Sequence, residues 1–193
     1  MQASSHRRYQ LPDNTGLLPV NMGAAIQALE VSGLVTIDQS LVNHLASVRL
    51  TGRLSRIQSG DFEVVLDVAH NVESVSQLLQ FLNDHPVSGK TAAVFGVMGD
   101  KPIHDMLALC ESAFDEWHLI DLCHVPRAMS TDRLTEFLKP MGAPIHQGAF
   151  ADLWQSLMTR VTTGDRVVVF GSFFSVGEAT AYLAAHHHDG EQH

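Results

Sequence analysis

The feature that most constrains this chain is the regular alternation, from residue 53 onward, of short apolar runs with amphipathic segments. Residues 54–58 and 62–66 are strand-like and flank Ser59-Gly60-Asp61, which has the composition of a hairpin turn. Further strand-like runs occupy residues 91–97, 117–122, 144–146 and 166–170. Between them, apolar residues recur at helical spacing: Val75, Leu78, Leu79 and Leu82 after a capping Asn71, then Ile103, Met106, Leu107 and Cys110 after Pro102. Residues 131–138, the set Phe150, Leu153, Trp154 and Leu157, and residues 174–185 supply three more helices. Beyond the hairpin the order is therefore βαβαβαβα. Runs that are apolar throughout belong to strands buried on both faces. The expected fold is α/β: a mostly parallel sheet with helices on both faces and one antiparallel edge strand.

A short helical segment precedes this pattern. Asn21 is expected to cap a helix carrying Met22, Ala25, Ile26 and Leu29 and stopped by Gly33; Asp38 caps a second, with Leu41, Leu45 and Val48 on one face. Two helices of that length cannot enclose a core, so they need something to pack on. The first twenty residues read as loop, and residues 186–193 read as a frayed tail whose three consecutive histidines make a poor metal site.

Composition narrows the function classes. Twelve Lys and Arg face 21 Asp and Glu, a formal charge of −9, which disfavours a nucleic-acid partner. No run approaches the roughly 20 apolar residues of a membrane span, and no apolar segment follows the polar N-terminus as a secretory signal requires. Two cysteines, Cys110 and Cys123, cannot build a disulfide framework. A cytoplasmic protein is expected.

In an open α/β sheet ligands bind beyond the carboxyl ends of the strands. That rule selects Asp67-Val68-Ala69-His70-Asn71, then Gly96-Val97-Met98-Gly99-Asp100-Lys101, then residues 121–127, and finally Phe170-Gly171-Ser172. Asp67 can accept from a ribose diol or can serve as a strand-end carboxylate for the next helix. His70 can bond an anionic or carbonyl group or donate to nearby backbone. Gly171-Ser172 sets amides at a helix N-terminus, suited to a carboxylate or phosphate, or is a plain turn. Lys101 and Arg127 are possible anion contacts or solvated charges, and Cys110 reads as core. No phosphate loop of the Gly-x-x-x-x-Gly-Lys type, no Gly-x-Gly-x-x-Gly, no Gly-x-Ser-x-Gly and no zinc-type Cys/His spacing occurs. Spacing alone leads to an α/β domain with a polar crevice.

The order of motifs leads further. Gly52-Arg53, Asp67-Val68-Ala69-His70-Asn71, Gly96-Val97-Met98-Gly99-Asp100-Lys101, Pro126-Arg127 and Gly171-Ser172-Phe173-Phe174-Ser175-Val176 follow one another along nearly the whole chain. In this the chain resembles the C-terminal, Rossmann-like domain of the folylpolyglutamate synthase/dihydrofolate synthase branch of the Mur ligases, ATP-dependent amide-forming enzymes. The resemblance implies that residues 1–50 are the last helices of a central ATPase domain, 51–185 a Mur-ligase-type C-terminal domain and 186–193 a disordered tail. It implies an acyl phosphate made from a carboxylate and ATP, then attacked by the amino group of L-glutamate. Arg53 and Asp67 are implied to reach ATP, His70 and Ser172 to position glutamate, with Lys101 and Arg127 as further anion contacts.

In such enzymes the phosphate loop and the Mg2+ ligands belong to upstream sequence. The chain is accordingly expected to be a fragment, inactive alone, whose partners are the rest of the enzyme and its small-molecule substrates ATP, L-glutamate and dihydropteroate or folate. Three other readings stand beside it: a cell-wall Mur ligase domain, against which the Gly-Ser-Phe ending argues; a binding module for a nucleotide or acidic ligand without catalysis; and a structural or oligomerisation domain.

Overall fold

A computed structural model of the chain describes residues 8–10, 19–48 and 52–186; the expected tail beyond His186 lies outside the described residues. The chain divides into two compact units, Met1–Arg53 and Leu54–His193.

The first unit contains α1 (Pro19–Ser32) and α2 (Gln39–Ser47). Helix α1 begins two residues before Asn21, which therefore lies inside the helix instead of capping it. Proline lacks the N–H that a first turn leaves unsatisfied anyway, so Pro19 opens the helix without penalty. Gly33 ends it at φ +64, and Asp38 caps α2 by accepting the Leu41 N–H at 2.8 Å. The buried face of α2 is Val42 and Ala46, packed with Met22 and Ile37, while Leu41 and Leu45 flank it half-buried. The expected face is thus displaced by one position, towards the residues that fill the space between the helices.

In the second unit β1 (Ser55–Ser59) and β2 (Phe62–Asp67) form the hairpin. It continues with α3 (Val72–Asp84), β3 (Thr91–Phe95), α4 (Ile103–Ala108), β4 (Glu116–Ile120), α5 (Thr131–Leu138), β5 (Ile145–Gly148), α6 (Phe150–Met158), β6 (Arg166–Phe170) and α7 (Phe173–His186). The sheet order is β1-β2-β6-β3-β4-β5, with only the β1–β2 pair antiparallel. Strand β5 starts at Ile145, not Pro144, and runs on to Gly148.

This order decides which helix lies on which face. A βαβ crossover is right-handed, so helices carrying the chain one way along the sheet share a face and a returning helix takes the other. Helices α3, α4 and α5 carry the chain from β2 out to β5 and pack with Val65, Phe95, Trp117, Leu119 and Phe170. Helix α6 carries it back to β6, inserted between β2 and β3, and packs together with α7 on Val64, Leu66, Val94, Val167 and Val169. Neighbouring strand residues go to opposite cores, so the strands read as unbroken apolar runs. Cys110 is buried in the first of these layers, which pushes its thiol up to about 12 and leaves it a packing residue.

Opposite charges are buried together at one point among the strand residues of β2 and β6. Glu63 faces Arg166 in register, and Arg166 Nε donates to Glu63 Oε2 at 2.6 Å. The same guanidinium donates to the Leu82 and His85 carbonyls, tying the C-terminal end of α3 to the sheet where its dipole favours a cation. Arg56 on β1 also bonds Glu63. Burial pushes the Glu63 carboxyl up, but the hydrogen bonds and charges of Arg166 and Arg56 together outweigh it and hold it below the usual carboxylate range. A depressed native pKa stabilises the fold above the unfolded pKa, and that contribution disappears as pH falls through the native value. The urea midpoint is expected to drop between neutral pH and about pH 3. Glu63→Gln should cost about 3 kcal/mol at pH 7, by leaving Arg166 without its carboxylate, and should flatten the pH dependence of that midpoint.

Candidate functional site at the carboxyl rim of the sheet

The helices following β2 and β3 lie on one face and the helix following β6 on the other. The chain therefore parts on both sides of β6 at its carboxyl end, the switch point at which an open α/β sheet forms its crevice. The pivot is Gly171, at φ +109; a Cβ there would lie 2.6 Å from the Gly96 carbonyl oxygen and from the Phe95 ring. No other residue fits.

Ser172 follows directly and is buried. Its Oγ accepts the Ser175 N–H at 3.0 Å, capping α7. Ser175 Oγ donates to the Gly96 carbonyl at 2.7 Å and also lies 2.8 Å from Ser172 Oγ. A carbonyl can only accept, so the single Ser175 hydroxyl proton goes to Gly96, and Ser172 must donate its own to Ser175. The Ser172 hydroxyl is spent on this chain and on the cap.

Asp67 ends β2 and is also buried. Its Oδ2 accepts the Leu54 N–H at 2.8 Å and its Oδ1 the Ala69 N–H at 2.7 Å. Asp67 thus fixes the backbone on both flanks of the strand, while Asn71 caps α3 with Oδ1 accepting the Ser74 N–H at 2.8 Å. Leu54 adopts φ +47, a conformation that costs a side-chain-bearing residue roughly 1 kcal/mol, and the bond to Asp67 holds it there. Arg53, the last residue of the first unit, directly precedes Leu54.

His70 is half-buried in the loop between β2 and α3. Its Nδ1 lies 2.7 Å from the Val68 carbonyl oxygen. Since that oxygen only accepts, Nδ1 carries a proton, and in the neutral tautomer this selects Nε2 is the acceptor. The Phe173 ring, largely exposed at the start of α7, lies 6.3 Å away centroid to centroid.

The loops after β3 and β4 are laced together, Gly99 N–H to Arg127 O at 2.7 Å and Met129 N–H to Val97 O at 2.9 Å. Arg127 itself has φ +70. Lys101 Nζ lies 3.3 Å and Arg127 Nη1 3.9 Å from Asp100 Oδ2. The hydrogen bond from Lys101, the largest favourable influence, and the two cationic charges hold the exposed Asp100 carboxyl below its ordinary range. The two cations share one counterion and leave a net positive corner on the rim.

Of the expected site residues, Asp67, His70 and Ser172 stand on the adjacent strand ends of β2 and β6, where Asp67 pairs Phe170 in register. Lys101 and Arg127 come together on the neighbouring β3 and β4 ends. Sequence reasoning named Asp100 and Ser175 only within motifs, without a role for either, and passed over Glu178. The Ser172-x-x-Ser175 spacing is that of a capped helix start and was available as a signal. Glu178, on α7, is 3.4 Å from His124. Burial pushes its carboxyl up, the His124 charge opposes this, and the Asp121 charge adds to it; nothing local in sequence announces that.

A family model described as "Mur ligase, glutamate ligase domain" matches residues 52–173. Dihydrofolate synthase/folylpolyglutamate synthase of Escherichia coli is 31% identical over 171 residues, covering 89% of this chain and 39% of that protein. The structure of E. coli FolC in complex with DHPP and ADP superposes with a TM-score of 0.77 at 30% identity, over 92% of this chain and 41% of that one. The bifunctional folylpolyglutamate synthase/dihydrofolate synthase with Mn, AMPPNP and L-glutamate bound gives 0.75 at 31% identity, over 90% and 41%. The chain spans about two fifths of the length of the curated relatives it matches.

If Ser172 acts as a cap and hydroxyl relay, Ser172→Ala should lower stability by about 1 kcal/mol. Urea denaturation followed by circular dichroism measures it, and Ser172→Thr, which keeps a hydroxyl, should recover part of the loss.

Proposed function

We propose, from the premise that this chain belongs to the Mur ligase family and carries its glutamate ligase domain, that it works as the C-terminal part of an ATP-dependent folate ligase. The reaction joins L-glutamate to dihydropteroate or folate. A carboxylate takes the γ-phosphoryl group of ATP, the glutamate amine attacks the acyl carbon, the C–N bond forms, and phosphate leaves with the C–O bonding pair. In this reading the first unit is the end of a central ATPase domain and the second the Mur-ligase-type C-terminal domain, in a cytoplasmic enzyme.

What carries the reading is the set of polar groups gathered at the carboxyl end around β6, on a chain whose relatives include folate ligases. The proposed roles divide by chemistry. Arg53 and Asp67 face the nucleotide, Asp67 acting from a carboxylate already braced by two amides. His70 and the start of α7 behind Ser172 orient glutamate. Lys101 and Arg127 present a positive corner for an anionic group. Holding an amine and an acyl phosphate in near-attack geometry is the larger part of such a reaction, and excluding water protects the intermediate.

Mg2+ asks for several oxygen ligands in octahedral array. Asp67 is committed to two backbone amides and Asp100 to Lys101 and Arg127, so these rim carboxylates do not suit the ion. With no phosphate-loop motif in the sequence either, ATP phosphates and Mg2+ are assigned to a partner domain, and the chain alone is inactive.

The test is a chimera in which this chain replaces the matching C-terminal portion of the E. coli relative. The chimera should release ADP in a glutamate- and folate-dependent manner, and the isolated chain should not. In the chimera His70→Ala should raise the KM for glutamate about tenfold, equivalent to about 1.4 kcal/mol, with a smaller effect on the KM for ATP. ADP formation by the chain alone, or a folded chimera without glutamate-dependent turnover, overturns the reading.

A further inference from the structure

At the other end of the sheet, Glu116 and His118 alternate along β4, and His146 on β5 lies beside His118 in register. One carboxylate oxygen and one nitrogen from each ring all fall within 4.8 Å of one another. The two imidazoles stack, with centroids 4.8 Å apart and planes inclined by 21°. Glu116 Oε1 is 3.4 Å from His118 Nε2, and Glu116 Oε2 is 3.7 Å from His146 Nε2.

The decisive residue is His118. Its side chain is wholly buried, and neither ring nitrogen makes a hydrogen bond among the described residues. The 3.4 Å approach to Glu116 is close enough for attraction but not aligned for a hydrogen bond. A neutral imidazole has one donor and one acceptor, and leaving such a group unpaired inside a protein costs about 1–3 kcal/mol. A valine or leucine would fill β4 at this register without that cost.

We infer that Glu116, His118 and His146 form a divalent transition-metal site of the Zn2+ type that clips β5 to β4. Two imidazole nitrogens and one carboxylate are a zinc donor set, with a fourth position left for water, and Mg2+ or Ca2+ would want oxygens instead. Tetrahedral zinc holds its ligand atoms about 3.3 Å apart, from metal–ligand distances near 2.0 Å. The observed spread closes to that with small side-chain adjustments of His146 and Glu116, both partly exposed. A groove of about 160 Å³, lined in part by Glu116 and Arg160, opens beside the cluster and gives access.

Arg160 is the competing cation. Its Nη1 donates to Glu116 Oε2 at 2.9 Å and lies 3.5 Å from His146 Nε2. It must withdraw for metal to enter, and a long side chain that is 40% exposed can do so. The site owes nothing to the rim or to the ligase reading, and its test does not depend on either.

The probe is ZnCl2 alone, titrated into the chain by calorimetry and by competition with a chromogenic chelator. His186→Ala, His187→Ala, His188→Ala and His193→Ala are present in every protein compared, so that the tail histidines do not contribute. One saturable site with a midpoint of about 10 µM or tighter is expected, together with a rise in Tm on adding zinc. His146→Ala, on a half-exposed edge residue, should weaken binding about tenfold or more and abolish the Tm rise. Arg160→Gln should tighten binding several-fold while circular dichroism stays unchanged. Absence of saturable binding, affinity indifferent to His146→Ala, or no gain from Arg160→Gln overturns the proposal.

Discussion

Gly171 has no room for a side chain, and the carboxyl rim of the second unit is arranged around that fact. Because β6 enters last, between β2 and β3, its end must turn away from both neighbours at once. The turn brings the backbone against the Gly96 carbonyl and the Phe95 ring, closer than any Cβ tolerates. The Gly96 carbonyl, brought to the same place, then receives the Ser175 hydroxyl. One close approach thereby fixes where α7 begins, how it is capped and how the β3 and β6 loops lie relative to each other.

The two ends of the sheet handle charge differently. Near the amino ends, Glu63 and Arg166 are buried together and reach across β2, β6 and the end of α3, so removing either leaves the other stranded. At the carboxyl end Asp67 is buried but engages neutral amides, and the cations Lys101 and Arg127 stay near solvent around Asp100. Structural charge is matched by opposite charge in the interior. The cations of the carboxyl rim stay on the perimeter, where desolvation has not been completed.

Much of this was legible in the sequence, for identifiable reasons. Unbroken apolar runs such as Val167-Val168-Val169-Phe170 have no solvent face to show, and that alone argues for a parallel sheet covered on both sides. Asn71, Asp38 and Gly60 act locally and could be read locally. Asn21 misled because Pro19 offered an earlier start, and the buried face of α2 shifted because packing partners, not periodicity, choose between adjacent stripes. The rim followed from strand ends, but the work of its residues did not. That Ser172 gives its proton to Ser175 depends on Gly96, 76 residues earlier, being carried alongside. The Glu116, His118 and His146 group has no motif spacing at all; strand register between β4 and β5 assembles it.

The Val68 carbonyl decides more about His70 than its position in the loop suggests. By accepting the Nδ1–H it directs the lone pair of the neutral tautomer to the outer nitrogen, which then has no hydrogen to offer. Such an atom repels the oxygens of a carboxylate and attracts N–H. An amino-acid ligand seated beside it would turn its N–H end to the ring and its acid groups away. The polarity with which the amino acid enters would then be written into a single backbone contact two residues back.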